Sequence, residues 1–397
     1  MSKLDKLIER LCPNGVEYKK IKEVYARVKG TPITASKMRE IENSEGQVTI
    51  FAGGKTIINA NECDIPNSNV IRVPAVIVQS RGVINFIYYD KPFTFKNEMW
   101  AYTSGNTTSL KFLYYILKNN SQYFTEASSG MGAMPQISLA VTENFLIPIP
   151  PLEIQEEIVR ILDNFAELTA ELTAELTARK KQYEYYRDTL LTFDENDTNV
   201  QWKTFSEIGT IERGNGLSKS DFTESGYPCI HYGQIYTHYG TIATLTKSFT
   251  SETLAKTLKK VSKGDIIIAV TSENLDDVCK SVVWLGNNNI VTGGHTAILK
   301  HNQNPKYIAY WLQTKEFFVQ KAKLAQGTKV IEVAPKKLEK VRIPLPPLSE
   351  QERIVAILDR FDALCNDISI GLPAEIAARK KQYEYYRDKL LTFKKIS

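Results

Sequence analysis

The chain has 397 residues, 43% of them apolar and 24% charged, with a net charge of +5; that length predicts at least two globular domains, each able to bury a core. No apolar run approaches the roughly 18 residues of a membrane span, and the opening "MSKLDKLIERL" interleaves charges with its leucines, unlike a signal peptide. The five cysteines (Cys12, Cys63, Cys229, Cys279, Cys365) are scattered, with no CxxC pair, which argues against zinc or a disulfide framework and for a reducing cytoplasm.

In chain order, "VEYKKIKEV" (16–24) reads as a short opening strand. A long body follows, with a buried strand in "NVIRVPAVIVQ" (69–79) and a helix in "LKFLYYILKNN" (110–120). Pro148, Pro150 and Pro151 then enforce an extended exit. Beyond them Leu162, Phe165, Leu172, Leu176, Tyr183 and Tyr186 recur at spacings of three, four or seven, the seam of an amphipathic helix. Its middle, "AELTAELTAEL" (166–176), is a tetrapeptide repeat of strong helix formers. Wholly helical, 152–193 would span about 63 Å.

The plan then repeats. "VQWKTFSEI" (200–208) resembles 16–24, and a second body carries a strand in "GDIIIAV" (264–270) and a helix over 305–322. "IPLPPLSEQERIVAILDRF" (343–361) matches "IPIPPLEIQEEIVRILDNF" (147–165) at 13 of 19 positions. Residues 178–193 and 378–393 differ only in Thr189 against Lys389. The second seam, with Leu358, Phe361, Tyr383 and Tyr386, holds four more residues than the first and is interrupted at Gly371-Leu372-Pro373, where one helix should end and another begin. "LDKLIERL" (4–11) echoes "RDTLLTF", which suggests a circular, pseudo-two-fold plan. A surface helix on a globular core gives the same periodicity; two similar seams in one chain more naturally pack together, antiparallel.

Catalytic signatures fail one by one. "GGKT" (53–56) lacks the glycine a phosphate loop needs, since Thr49 stands there. No HExxH, GxSxG or GxGxxG occurs. All four histidines (His231, His238, His295, His301) fall in the second body, so no catalytic histidine is common to both bodies, and none shows metal-ligand spacing.

Nucleic-acid recognition fits better. Residues 16–145 carry 14 Lys and Arg against 11 Asp and Glu, and 196–342 carry 19 against 13, whereas 146–195 carry 5 against 11. The bodies therefore hold the positive charge and the first helical segment is acidic, as for a spacer that does not track phosphates. Loops dense in donors, acceptors and aromatics supply DNA-binding candidates. In the first body these are Lys29, Thr31, Lys55, Gln79, Ser80, Arg81, Ser129, Met131 and Gln136. In the second they are Arg213, Asn215, Lys219, His231, Tyr232, Gln234, Tyr236, Ser272, Asn274, His295, Thr328 and Lys329. An ordinary polar turn accounts for any one of these loops taken alone, and His231 and His238 are equally at home as structural residues.

The "IPLPPLSEQERIVAILDRF" exit, the TAEL tetrapeptides and the doubled "ARKKQYEYYRD" resemble the specificity (S) subunit of Type I restriction–modification systems, over nearly the whole chain. The resemblance implies an α+β fold: two globular target recognition domains joined by two long helices packed as an antiparallel coiled coil with pseudo-two-fold symmetry. Residues 1–151 would be the first recognition domain with its N-terminal helix, 152–195 the central spacer, 196–347 the second recognition domain and 348–397 the C-terminal spacer. It further implies that each domain reads half of a split site in double-stranded DNA. Two methyltransferase (M) subunits would dock on the helices and bring S-adenosylmethionine, and two restriction (R) subunits would bring ATP and Mg. This chain would then be a non-catalytic, cofactor-free cytoplasmic subunit. The rival expectation is a stand-alone sequence-specific DNA-binding protein with a coiled-coil scaffold.

Overall fold

A computed structural model describes residues 3–65, 69–128, 134–367 and 369–396. It divides into two compact units: residues 1–171 with 377–397, and residues 172–376.

In the first unit the opening strand Glu17–Lys20 pairs antiparallel with the closing strand Leu146–Ile149, Tyr18 facing Pro148. Between them lie two sheets. One has four antiparallel strands in the order Ala26–Lys29, Trp100–Thr103, Ala75–Gln79, Asn85–Tyr89. The other has three, with Val48–Phe51 antiparallel to Ile57–Ala60 and parallel to Phe93–Phe95. All five residues of Ala75–Gln79 are buried, because successive side chains serve opposite cores. Val76 and Val78 face the cluster under helix Thr107–Asn119, while Ala75 and Ile77 face the second sheet with Phe93 and Phe95. The strand is shorter than the apolar run 69–79 suggests; it starts just after Pro74, which has no amide hydrogen for the ladder.

The second unit repeats this frame on different residues. Gln201–Thr204 pairs with Arg342–Leu345, Trp202 facing Pro344. Ile266–Ala269 lies between Thr296–His301 and Ser281–Trp284, and Tyr227–Ile230 runs parallel to Ile290–Thr292. The alternation also recurs: Ile266 and Ile268 join the helix-side core, Ile267 and Ala269 the sheet-side core. The expected helix over 305–322 is two helices, Pro305–Trp311 and Lys315–Leu324, because the Thr314 hydroxyl accepts from the Phe317 amide and caps a new start.

The helical segments complete each unit. The long helix runs Leu152–Leu190, and the second seam is split into Leu348–Asn366 and Leu372–Leu390. The break falls where expected. A Cβ on Gly371 would sit 2.4 Å from the Ala363 carbonyl oxygen, so only glycine lets the chain fold back onto the helix end. In the second unit Arg179 and Lys180 lie by Cys365, while Tyr183 and Tyr186 meet Phe361 at 6.5 and 5.5 Å, so the helices run antiparallel. In the first unit Phe165 meets Tyr383 and Tyr386 at 6.3 and 5.7 Å. Leu162 and Leu358 are fully buried, Leu172 and Leu176 half-buried. Each unit thus joins the phenylalanine end of one repeat copy to the tyrosine end of the other. The first unit also joins the chain's two ends: the Val16 amide donates to the Lys394 carbonyl and the Ile396 amide to that of Val16. Helix Lys3–Leu11 packs beside them, with Lys3 on Glu157 at 2.8 Å.

Candidate nucleic-acid interface

In the first unit, three loops far apart in sequence are knitted by backbone hydrogen bonds. The Gly54 amide donates to the Arg81 carbonyl, the Gly82 amide to Pro135 and the Ile137 amide to Ser80. Arg81 and Gln136 form a β-bridge. The three loops bound a cleft of about 650 Å³ lined by Arg39, Lys55, Arg81 and Lys96, with Glu42 and Glu98. Lys96 pairs with Glu98 at 2.9 Å. Lys29 ends its strand beside a neighbouring hollow with Arg27, Asn97 and Glu98.

Three candidates of this body are interior. The Thr31 hydroxyl bonds that of Thr94 at 2.8 Å and accepts from the Asn69 amide; the Ser80 hydroxyl donates to the Glu98 carbonyl; Gln79 Nε2 donates to Gly54. All three are buried, so they brace the loops in place of the base contacts expected of them. Ser129 and Met131 lie outside the described residues.

In the second unit Arg213, Lys219, His231, Tyr232 and His295 converge on one cleft of about 770 Å³, joined by Ser218 and Asp221. The Tyr232 ring lies 4.5 Å from His231 and 4.8 Å from His295. His295 is exposed and its Nδ1 is 3.1 Å from the Thr271 hydroxyl. His231 is buried, and its Nδ1 accepts from the Gly233 amide. Burial first, then Lys219 and His295, push its pKa down, so it is neutral near pH 7. Arg213 is steered by Glu332 at 2.9 Å and donates to the Gly294 carbonyl.

The other candidates of this body divide between braces and exposed positions. Asn215 donates to Thr257 and accepts from Lys259; Gln234 donates to the Ser248 hydroxyl; Tyr236 donates to the Thr271 carbonyl; Asn274 caps the turn at Asp277. Gln234, Tyr236 and Ser272 are half-buried. Thr328 and Lys329 are exposed in the turn that Gln326 and Glu332 close by exchanging backbone hydrogen bonds.

The clefts occupy equivalent places. Lys29 and Arg213 end the same strand, and each is followed by a glycine whose Cβ would meet a backbone oxygen, Phe95 at 2.0 Å for Gly30 and Gly293 at 2.1 Å for Gly214. The Arg81–Gln136 bridge corresponds to the Thr271–Glu332 pair. Sequence reasoning missed Arg39, Lys96, Ser218 and Asp221. It also missed that Lys29-Gly30 and Arg213-Gly214 keep the spacing of the opening strands, 13 and 14 residues after Val16 and Val200, a signal that was present.

Comparisons with known proteins agree with this duplicated plan. The family model for the Type I restriction modification DNA specificity domain matches twice, at 13–179 and 198–378. The specificity subunit of a Type I restriction enzyme of Escherichia coli is 40% identical over 300 residues, 73% of this chain and 72% of that protein. A putative Type I restriction enzyme specificity subunit of Haemophilus influenzae is 33% identical over 298 residues, 71% of this chain and 72% of that one. A Type I restriction–modification S subunit from M. genitalium shares the fold with a TM-score of 0.59 at 17% identity, over 95% of this chain and 96% of that one. A solved chain from a study of Type I restriction–modification assembly does so with a TM-score of 0.58 at 17% identity, over 96% and 98%. The chain belongs to the family of Type I restriction–modification DNA specificity subunits.

Proposed function

We propose that each unit reads one half of a split site in double-stranded DNA, the first through the Arg39–Lys55–Arg81–Lys96 cleft and the second through the Arg213–Lys219–Tyr232–His295 cleft. One observation carries the reading: two bodies of one architecture stand on duplicated helices, yet line equivalent clefts with different side chains. Lysine and arginine suit phosphates; exposed arginine, histidine and tyrosine edges suit bases. Of the other candidates, the buried ones hold these groups in place, and Thr328 and Lys329 add donors at a rim.

The helices fix the gap between half-sites and dock two methyltransferase subunits. In support, the repeat copies agree even at exposed positions that internal packing does not constrain. Tyr185 and Tyr385 are 66% and 64% exposed, and Lys181, Glu184, Lys381 and Glu384 are exposed as well. Two copies of one partner account for that agreement. The chain itself is non-catalytic and binds no cofactor. S-adenosylmethionine arrives on the methyltransferase subunits, and ATP and Mg on two restriction subunits, in the cytoplasm. Among the described residues no helix is long and apolar enough to cross a membrane.

The test is co-expression with the cognate methyltransferase, followed by mapping of methylated DNA. A two-part motif and a co-purifying methyltransferase are expected; sequence-specific binding with no methyltransferase bound would favour a stand-alone DNA-binding protein. Deleting Thr173–Leu176, one TAEL unit, removes about 6 Å of helix. It should shorten the gap and leave both half-sites intact; an unchanged gap counts against the spacer role.

A further inference from the structure

Away from the clefts, each body is tied to the helix that follows it by the same polar knot. In the first unit Lys111 Nζ lies 2.6 Å from one oxygen of Asp163, and the Tyr115 hydroxyl donates to the other at 2.5 Å. In the second, Lys306 Nζ lies 2.6 Å from Asp359 and the Tyr310 hydroxyl donates to its other oxygen at 2.7 Å. The lysine and tyrosine stand four residues apart on the body helices Thr107–Asn119 and Pro305–Trp311, one turn, so both reach a single carboxylate. The two aspartates occupy the same position of the repeat, in "LDNF" and "LDRF".

The bodies are otherwise so different in sequence that a shared Lys-x3-Tyr needs a shared reason. Both tyrosines are buried, at 4% and 0% exposure, while the aspartate side chains are about one-third exposed. Apolar packing alone would allow a body to turn on its helix, because hydrophobic contact has no direction. Two charge-assisted hydrogen bonds to the two oxygens of one carboxylate do have direction, and admit one angle. Burial and the adjacent carboxylate raise both tyrosine pKa values, so each hydroxyl remains a donor.

We infer that this knot is an orientation lock: Lys111, Tyr115 and Asp163, and Lys306, Tyr310 and Asp359, are positioning residues that set the angle of each reading body on its helix and so make the chain strict about gap length. The inference rests on the split-site reading. It also gives a rule for grafting: a foreign body must bring Lys and Tyr four apart on its helix.

The experiment uses the full chain assembled with its methyltransferase and measures methylation of duplexes whose gap is altered by one or two base pairs. The wild type should lose about tenfold per base pair of misfit, since the DNA must be twisted or bent to fit. Tyr310→Phe, which removes one hydroxyl and keeps the ring, should cut that loss to under about threefold, with both half-site sequences unchanged. Asp359→Asn should do the same, and Tyr310→Phe decides the matter should Asp359→Asn fail to assemble. Variants as strict about the gap as the wild type, or uniformly weakened at every gap, would overturn the lock and leave the knot merely structural. A wild type that methylates no two-part target at all would instead remove the split-site reading.

Discussion

The two clefts stand on one backbone plan and differ in chemistry. The first gathers four long cations against two glutamates; the second gathers an ion-paired arginine, a lysine and a tyrosine flanked by two histidines. Both are framed by the same strand end, the same glycine kink and the same bridge between distant loops. The difference shows that the frame is indifferent to what it displays. Buried Thr31, Ser80 and Gln79 hold loops, as does the exposed Asn215 through its bonds to Thr257 and Lys259, and the other exposed positions are free to vary.

The strongest way to sharpen the contrast is to exchange residues 16–145 for the body of another specificity subunit. The first half-site should be replaced completely and the second kept; a change in both, mapped by methylome sequencing, would break the independence of the clefts. Single readers come next. Arg81→Ala should cost about 1–3 kcal/mol at one position of the first half-site only, and His295→Ala a similar amount at one position of the second. Binding assays on duplexes with single base changes decide it, and equal losses on both half-sites would contradict the assignment.

A third difference lies in acid sensitivity. Burial pushes His301 of the second unit down to about 4, and pushes His231 down as well. Unfolded, both titrate near 6.5. The folded unit therefore binds fewer protons than the unfolded chain, and these groups withdraw stability as pH falls from about 6.5 toward 4. At pH 5 the His301 contribution is about 2 kcal/mol. The first body has no histidine and lacks this slope. His301→Asn should narrow the gap between urea melts at pH 7 and pH 5; an unchanged gap would remove the histidine account. The smallest effect is expected at Lys55. As a phosphate contact, Lys55→Ala should weaken all sequences alike and lower the salt slope by about one; a loss confined to one sequence would make it a base reader.

Much of the frame could be read from the residues themselves. Gly371-Leu372-Pro373 announces a break through local backbone limits, and the doubled tyrosines announce a seam, because each signal is complete within a few residues. The clefts could not be read in that way. Arg213 and His295 meet only through the pairing of Gly209–Arg213 with Thr296–His301, a register set by long-range packing. Nor does a polar loop residue reveal whether it turns outward, as Arg81 does, or inward, as Ser80 does. The Lys-x3-Tyr pair is an intermediate case, present in the letters but without meaning until the aspartate that receives it is known.

The ring stacks carry a consequence for inheritance. Tyr386 is stacked on Phe165 and Tyr186 on Phe361, so a substitution in one copy of the repeat is tested against the opposite end of the other copy. Neither copy can drift alone. Copying of one stretch of gene over the other would mend both stacks at once, so lineages of such genes should hold their paired segments alike while the bodies diverge.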